Sequence, residues 1–246
     1  MNIIWYPKLD STNSEALRQL GALENMTVLA AREQTAGRGQ RGNSWFSEPG
    51  KNLTFSIVCK WQPGWFKAAD AHWLNYVISE AVALFLRSYG VHCKIKWPND
   101  IYVGGKKICG ILIENALQEG WVASSVVGVG LNVNQREFPQ LANATSLWCC
   151  LGQELDLEEA LPKLAALFEK NLPYLETEQG RGQLFGSYSA QLFQKDCNAR
   201  YHDYLEDREF WGILRGVEPD GRLRIDDLDA HGKARFYQFK EVGYIL

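Results

Sequence analysis

Two turn signals, Gly104-Gly105 and Glu119-Gly120, most restrict how this chain can fold. Paired residues of this kind close two-residue hairpins, so the segments they join must run antiparallel. Between Val91 and Asn134 the sequence therefore predicts a run of short strands in one sheet. Two of them flank Trp97-Pro98-Asn99-Asp100, and Lys107 opens the strand after the first hairpin. Gly110 lies inside that strand, which predicts a bulge or a close backbone approach there. Gly128 and Gly130 thin the next one, and Asn132 and Asn134 follow. Strands that carry glycine or lysine near their ends suggest one pocket floored by a sheet.

A second stretch, Arg32 to Lys51, is built differently. Gly37, Gly39, Gly42 and Gly50 alternate with Arg38, Arg41 and Lys51, and few apolar residues are present to serve a core. Glycine lets backbone approach closely, and the arginine fork matches a carboxylate or a phosphate. G37-R-G-Q-R-G42 spells a dinucleotide fingerprint, but that fingerprint needs an apolar strand before it and a helix after it. Here Gly42 is followed by N-S-W-F-S-E-P-G-K, a turn-rich run, and no G-x-x-x-x-G-K-[ST] occurs in the chain. The loop reads as a lid that closes over an anion.

The remaining elements follow from periodicity and caps. Met1 to Pro7 and Met26 to Arg32 read as short apolar strands, and Thr12-Asn13-Ser14-Glu15 spells a capping box before a short helix. A cap does not require Ser11, Thr12 and Asn13 in a row, and this cluster at a helix N-terminus could hold a polar ligand. Leu53, Phe55, Ile57 and Cys59 alternate with Asn52, Thr54, Ser56 and Val58, predicting a half-buried strand. Trp61 to Phe66 is a turn, and Ala68 to Tyr89 has helical spacing of its apolar residues. Helices are also predicted over Leu155 to Leu172, with Pro162 tolerable only near a first turn, and over Gly180 to Phe193. Beyond Phe193 short strands separated by Pro219-Asp220-Gly221 and His231-Gly232 predict a small antiparallel barrel.

Composition sets outer bounds. A chain of 246 residues with 46% hydrophobic content can bury a full core, as one large domain or one with an appendage. A net charge of -3 argues against general nucleic-acid binding, and no apolar run approaches a membrane span. The N-terminus M-N-I-I-W-Y-P lacks the shape of a signal peptide. Cys59, Cys93, Cys109, Cys149, Cys150 and Cys197 form no C-x-x-C pair and no zinc spacing, so reduced thiols in a cytoplasmic protein are expected.

Taken together, S11-T-N13, Q34-T-A-G-R-G-Q-R-G42, K96-W-P-N-D100, K107-I-C-G-I-L-I-E114 and G128-V-G-L-N132 resemble, in order and spacing, the biotin protein ligases (biotin–[acetyl-CoA-carboxylase] ligases). The resemblance spans nearly the whole chain. It implies an α+β fold like the class II aminoacyl-tRNA synthetases: a mixed, mostly antiparallel sheet flanked by helices, over residues 1–192, and an SH3-like barrel over 193–246. It is with the ligase-only class, lacking a DNA-binding domain, so DNA is not an expected partner; neither is a membrane. The implied reaction joins biotin to ATP, with Mg²⁺, giving biotinyl-5′-adenylate. Biotin then passes to one lysine of a biotin carboxyl carrier domain.

Residue by residue, the resemblance places Lys107 between carboxylate and phosphate, with Arg38 and its loop closing over them and Asp100 as candidate base for the acceptor amine. It places Ser11, Thr12, Asn13 and Gln34 on the biotin ureido group, with Arg38, Gly39, Gln40 and Lys107 also at biotin and Trp45 covering it. Gly110, Gly128 and Gly130 would admit the bicyclic ring. Arg41, Lys96, Asn99, Asp100 and Asn132 fall at nucleotide positions, and no dedicated metal site is expected. The chain departs from the family at Gln40 and Asn43, where arginines are usual, leaving Arg41 or Lys51 to compensate. A homodimer is possible. A lipoate or octanoate ligase-like acyltransferase is the alternative, although the Arg-Arg…Gly-Gly-Gly-x-Val pattern of those enzymes is absent; a non-catalytic effector-binding protein is another.

Overall fold

The computed structural model describes residues 1–139 and 141–245, apart from the side chain of Arg41. The chain runs β1 (Ile3–Tyr6), α1 (Thr12–Arg18), β2 (Val28–Ala31), β3 (Leu53–Lys60), α2 (His72–Ser88), β4 (Lys94–Lys96), β5 (Asp100–Val103), β6 (Lys106–Gln118) and β7 (Trp121–Leu131). It continues through α3 (Leu147–Leu151), α4 (Leu157–Asn171) and α5 (Glu178–Ala190). The last strands are β8 (Asn198–Asp203), β9 (Arg208–Val217), β10 (Leu223–Asp227), β11 (Lys233–Tyr237) and β12 (Val242–Ile245).

Seven strands form one sheet in the order β1-β2-β3-β7-β6-β5-β4, antiparallel except for the β1–β2 pair. Both hairpin turns have the backbone their residues demand. Gly104 and Gly105 have φ of 57° and 78°, and Glu119 and Gly120 have 51° and 83°, the positive pair that matches strand twist. A second, five-stranded antiparallel sheet has the order β11-β10-β9-β8-β12. The chain enters it after Leu192, which bridges to Ile95 of the large sheet.

The main core lies between the large sheet and helices α2, α4 and α5, where Phe55, Ile57, Phe85, Phe168 and Tyr188 are fully buried. A smaller cluster of Ala16, Leu23, Leu29, Val58 and Val126 seats α1 on the opposite face. Covering both faces changes the reading of β3. Leu53 through Cys59 are all buried, not half-buried, because Thr54, Ser56 and Val58 face α1 instead of water.

Other local details also shift. Ser11, not Thr12, is the N-cap of α1 and makes no side-chain cap bond, while Glu15 turns to Gln19 and Arg18. Pro162 sits inside α4 rather than in its first turn. Its missing N–H deprives only the carbonyl of exposed Glu158, and Asp156 caps the helix start through the N–H groups of Glu158 and Glu159. The short helix α3, capped by Ser146, had no strong signal in the sequence.

Candidate active site

Sheet register brings the scattered motifs together. Lys96 pairs with Asp100, Asp100 with Gly110, Gly110 with Gly130 and Gly130 with Thr54, forming one row across five strands. The adjacent row on the same face runs Leu112, Gly128, Ser56. Residues directly opposite each other share a face, and so do positions i and i+2. A cleft of about 370 Å³ lies over these rows.

Lys107 reaches this face through a bulge. Tyr102 pairs with Lys107 and Ile101 with Cys109, leaving Ile108 as the extra residue. The expected irregularity is therefore at Ile108, two positions before Gly110. An extra residue reverses the alternation of faces, so Lys107 and Gly110 point the same way. A Cβ on Gly110 would stand 3.3 Å from Lys107 Nζ. Lys107 Nζ pairs with Asp100 Oδ1 at 2.7 Å, both side chains being partly buried.

The loop forms a tight hairpin above the floor. Gly39 donates its N–H to Asn43 at 2.7 Å and Trp45 donates to Gly37 at 2.8 Å. The Trp45 ring then lies on the floor glycines. A Cβ on Gly130 would come within 2.3 Å of the indole, and one on Gly110 within 3.0 Å. Bare backbone here makes room for Trp45, whose buried Nε1–H has no acceptor among the described residues. Gly128 does the same for Asn13, whose Oδ1 would be 2.1 Å from an added Cβ. The Arg38 fork pairs with Glu114 at 2.7 and 3.1 Å, and Lys107 Nζ stands 5.6 Å from the Trp45 ring centre.

At the α1 end, Thr12 donates its N–H to Gln34 Oε1 at 2.7 Å. Ser11, Thr12, Asn13 and Gln34 all line the cleft, with Arg38, Gly39, Gln40 and Trp45 beside them. On the other side stand Lys96, Asn99 and Asp100. Asn99 donates to the Ile111 carbonyl at 2.5 Å. Lys96 Nζ lies 5.1 Å from the ring centres of both Tyr102 and Tyr244. Burial pushes its pKa down, against the pull of Asp100 and together with the repulsion of Lys107.

Not every expected residue reaches the cleft. Asn132 is buried outside it, its amide donating to the Thr145 carbonyl at 2.9 Å. Thr145 in turn donates its N–H to the Lys107 carbonyl at 2.9 Å, so Asn132 supports the backbone of Lys107. Lys51 pairs with Glu154 at 3.4 Å, away from the cleft. The Arg41 side chain lies outside the described residues. Conversely, the second sheet adds Tyr204, Phe239, Val242, Gly243 and Tyr244 to the lining, which no local sequence signal announced. Buried Ser56, a strand position by its alternation, and Glu114, the last residue of its motif, also bond to the α1 side chains, which neither pattern signals.

Residues 5–132 match the biotin/lipoate A/B protein ligase family. The chain is similar to the biotin–[acetyl-CoA-carboxylase] ligase of Paracoccus denitrificans, at 34% identity over 88% of this chain and 90% of that one. It is also 33% identical to the bifunctional ligase/repressor BirA of Escherichia coli over 89% of this chain and 68% of the relative. Among solved structures, the biotin protein ligase of Aquifex aeolicus in complex with biotin and ATP superposes with a TM-score of 0.80, at 27% identity, covering 98% of this chain and 97% of that one. This chain belongs to the biotin/lipoate A/B protein ligase family.

Proposed function

We propose that this protein activates biotin with ATP and transfers it to a lysine of a biotin carboxyl carrier domain. The observation that carries the reading is the cleft itself: hydrogen-bonding side chains of α1 at one end, Lys107 and Asp100 at the other, and the Arg38 loop between. Such a site fits a ligand with a polar ring at one end and a carboxylate at the other.

In the first step a biotin carboxylate oxygen attacks the α-phosphorus of ATP. The bond from phosphorus to the pyrophosphate oxygen breaks, leaving biotinyl-5′-adenylate. Two unit charges ~4 Å apart repel by about 4 kcal/mol at an effective dielectric near 20. Lys107 is the cation that offsets this repulsion, and Arg38 the second. Both are held by carboxylates of the chain, Asp100 and Glu114. A ligand anion at this point meets cations that the chain's own carboxylates already hold in place.

Ser11, Thr12, Asn13 and Gln34 hold the ureido ring, with Arg38, Gly39 and Gln40 along the ligand and the Trp45 indole as the wall beside it. Lys96, Asn99 and Asp100 face the nucleotide, which enters with Mg²⁺ on its phosphates. In the second step the carrier amine attacks the acyl carbon and AMP leaves. Asp100, already at the reacting end, accepts the ammonium proton. Residues 1–192 make up the catalytic unit and 193–246 an SH3-like unit that closes the cleft on one side. The working compartment is the cytoplasm.

Exchange of labelled pyrophosphate into ATP tests this. Exchange that requires biotin and is not supported by lipoate fits the proposal. Exchange with lipoate favours the acyltransferase alternative, and biotin binding without exchange favours a non-catalytic protein.

A further inference from the structure

The hydrogen-bond directions at the α1 end are fixed by the Leu112 backbone and by two side chains that do not line the cleft, Glu114 and Ser56. The Leu112 carbonyl and the Glu114 carboxylate can only accept, so Asn13 must turn Nδ2 toward them, at 3.2 and 2.9 Å. Its Oδ1 then faces Ser56 and accepts from the Ser56 hydroxyl at 2.6 Å. Ser56 has one proton and has given it to Asn13. Its oxygen, 2.8 Å from Thr12 Oγ1, therefore receives the Thr12 proton. Thr12 has also spent its backbone N–H, on Gln34. What Thr12 Oγ1 and Asn13 Oδ1 still offer is lone pairs.

We propose that Glu114 and Ser56 are positioning residues that make this end of the cleft an acceptor of hydrogen bonds, selecting a ring with N–H groups, a ureide, over one without them. The inference rests on the biotin reading above and adds the cause of the selectivity. Glu114 sets the direction of Asn13, and Ser56 passes it to Thr12. Without Ser56, Thr12 is free to turn its proton into the cleft, where it opposes an incoming N–H. With Gln at 114, Asn13 can invert and present Nδ2 instead.

Calorimetric titration of the full chain with biotin and with biotin methylated at either ring nitrogen tests this. Ser56→Ala is expected to weaken biotin about tenfold and leave at least one methylated analogue unchanged, so that the ratio of their dissociation constants falls about tenfold. The steric cost of the methyl group is common to both proteins and cancels in that comparison. Glu114→Gln serves as the second variant, with the same change of ratio expected. Equal weakening of all three ligands would mean a merely structural role and overturn the proposal, as would no change in any of them. If the wild-type chain bound no biotin, the underlying reading would fall and this inference with it.

Discussion

Lys107 and Gly110 face the same cleft although an odd number of positions separates them, because Ile108 is an extra residue in β6. The bulge sets Lys107 Nζ 2.7 Å from Asp100 Oδ1 at the edge of the glycine floor. If Asp100 takes the proton of the acceptor amine, Asp100→Asn should spare the first step and damage the second. Positioned bases contribute roughly 10²–10⁴-fold. Pyrophosphate exchange should fall less than about tenfold, and transfer to a carrier domain about a hundredfold or more, measured on the same preparation.

Gly130→Ala should disable ligand binding without unfolding the sheet. Its Cβ would meet three indole atoms of Trp45 at 2.3 to 2.7 Å, a contact that must be relieved by moving the ring. Trp45 sits on a loop, so the ring can move while β7 keeps its pairing. The expected result is a rise of at least about tenfold in KM for biotin, with a cooperative thermal transition retained.

The second sheet should matter to the nucleotide step through one contact. Tyr244 forms half of the aromatic pair around Lys96 Nζ, 5.1 Å from its ring centre, and Tyr102 forms the other half. Cation–π contacts of this kind are worth about 0.5–2 kcal/mol. Tyr244→Leu should therefore raise KM for ATP by a few-fold to about tenfold, and leave KM for biotin nearly unchanged. Steady-state kinetics in both substrates measures the difference.

How much of this was readable in the residues depends on what each residue had to report. The hairpins at Gly104 and Glu119-Gly120 were legible because two-residue turns leave few backbone options. Gly110 signalled a bulge or a close approach. The close approach is at Gly110 itself, under Trp45, while the bulge falls at Ile108, since a bulge belongs to a pair of strands and its position depends on the partner's register. Thr54 and Ser56 looked like a solvent face because one strand's alternation does not reveal whether a helix will cover its polar side. Asn132 belongs to a site motif yet is spent on Thr145, a contact between segments with no local signal. Tyr244 could not be assigned to the cleft at all, because its place there depends on how the second sheet packs against β4 and β5.

Acid should loosen the second sheet through a defined set of groups. Arg235 first, and then Arg208, hydrogen-bond the Glu206 carboxyl and lower its pKa from 4.5 to about 2. Both arginines also pair with buried Asp227. A carboxyl with a depressed folded-state pKa contributes stability above its unfolded value, and this is lost as pH falls through the folded one. For Glu206 the window runs from 4.5 down to about 2. Glu206→Gln should lower the thermal midpoint near neutrality, where the wild-type carboxylate contributes, and flatten its pH dependence in that window, so that the two proteins converge toward the acid end, as followed by calorimetry.

The most direct test of the account is the rate of biotin-dependent ATP–pyrophosphate exchange in Lys107→Ala. If Lys107 offsets the repulsion between carboxylate and phosphate as they react, exchange should fall by about a hundredfold or more while the variant still binds biotin. Exchange at the wild-type rate would contradict the account.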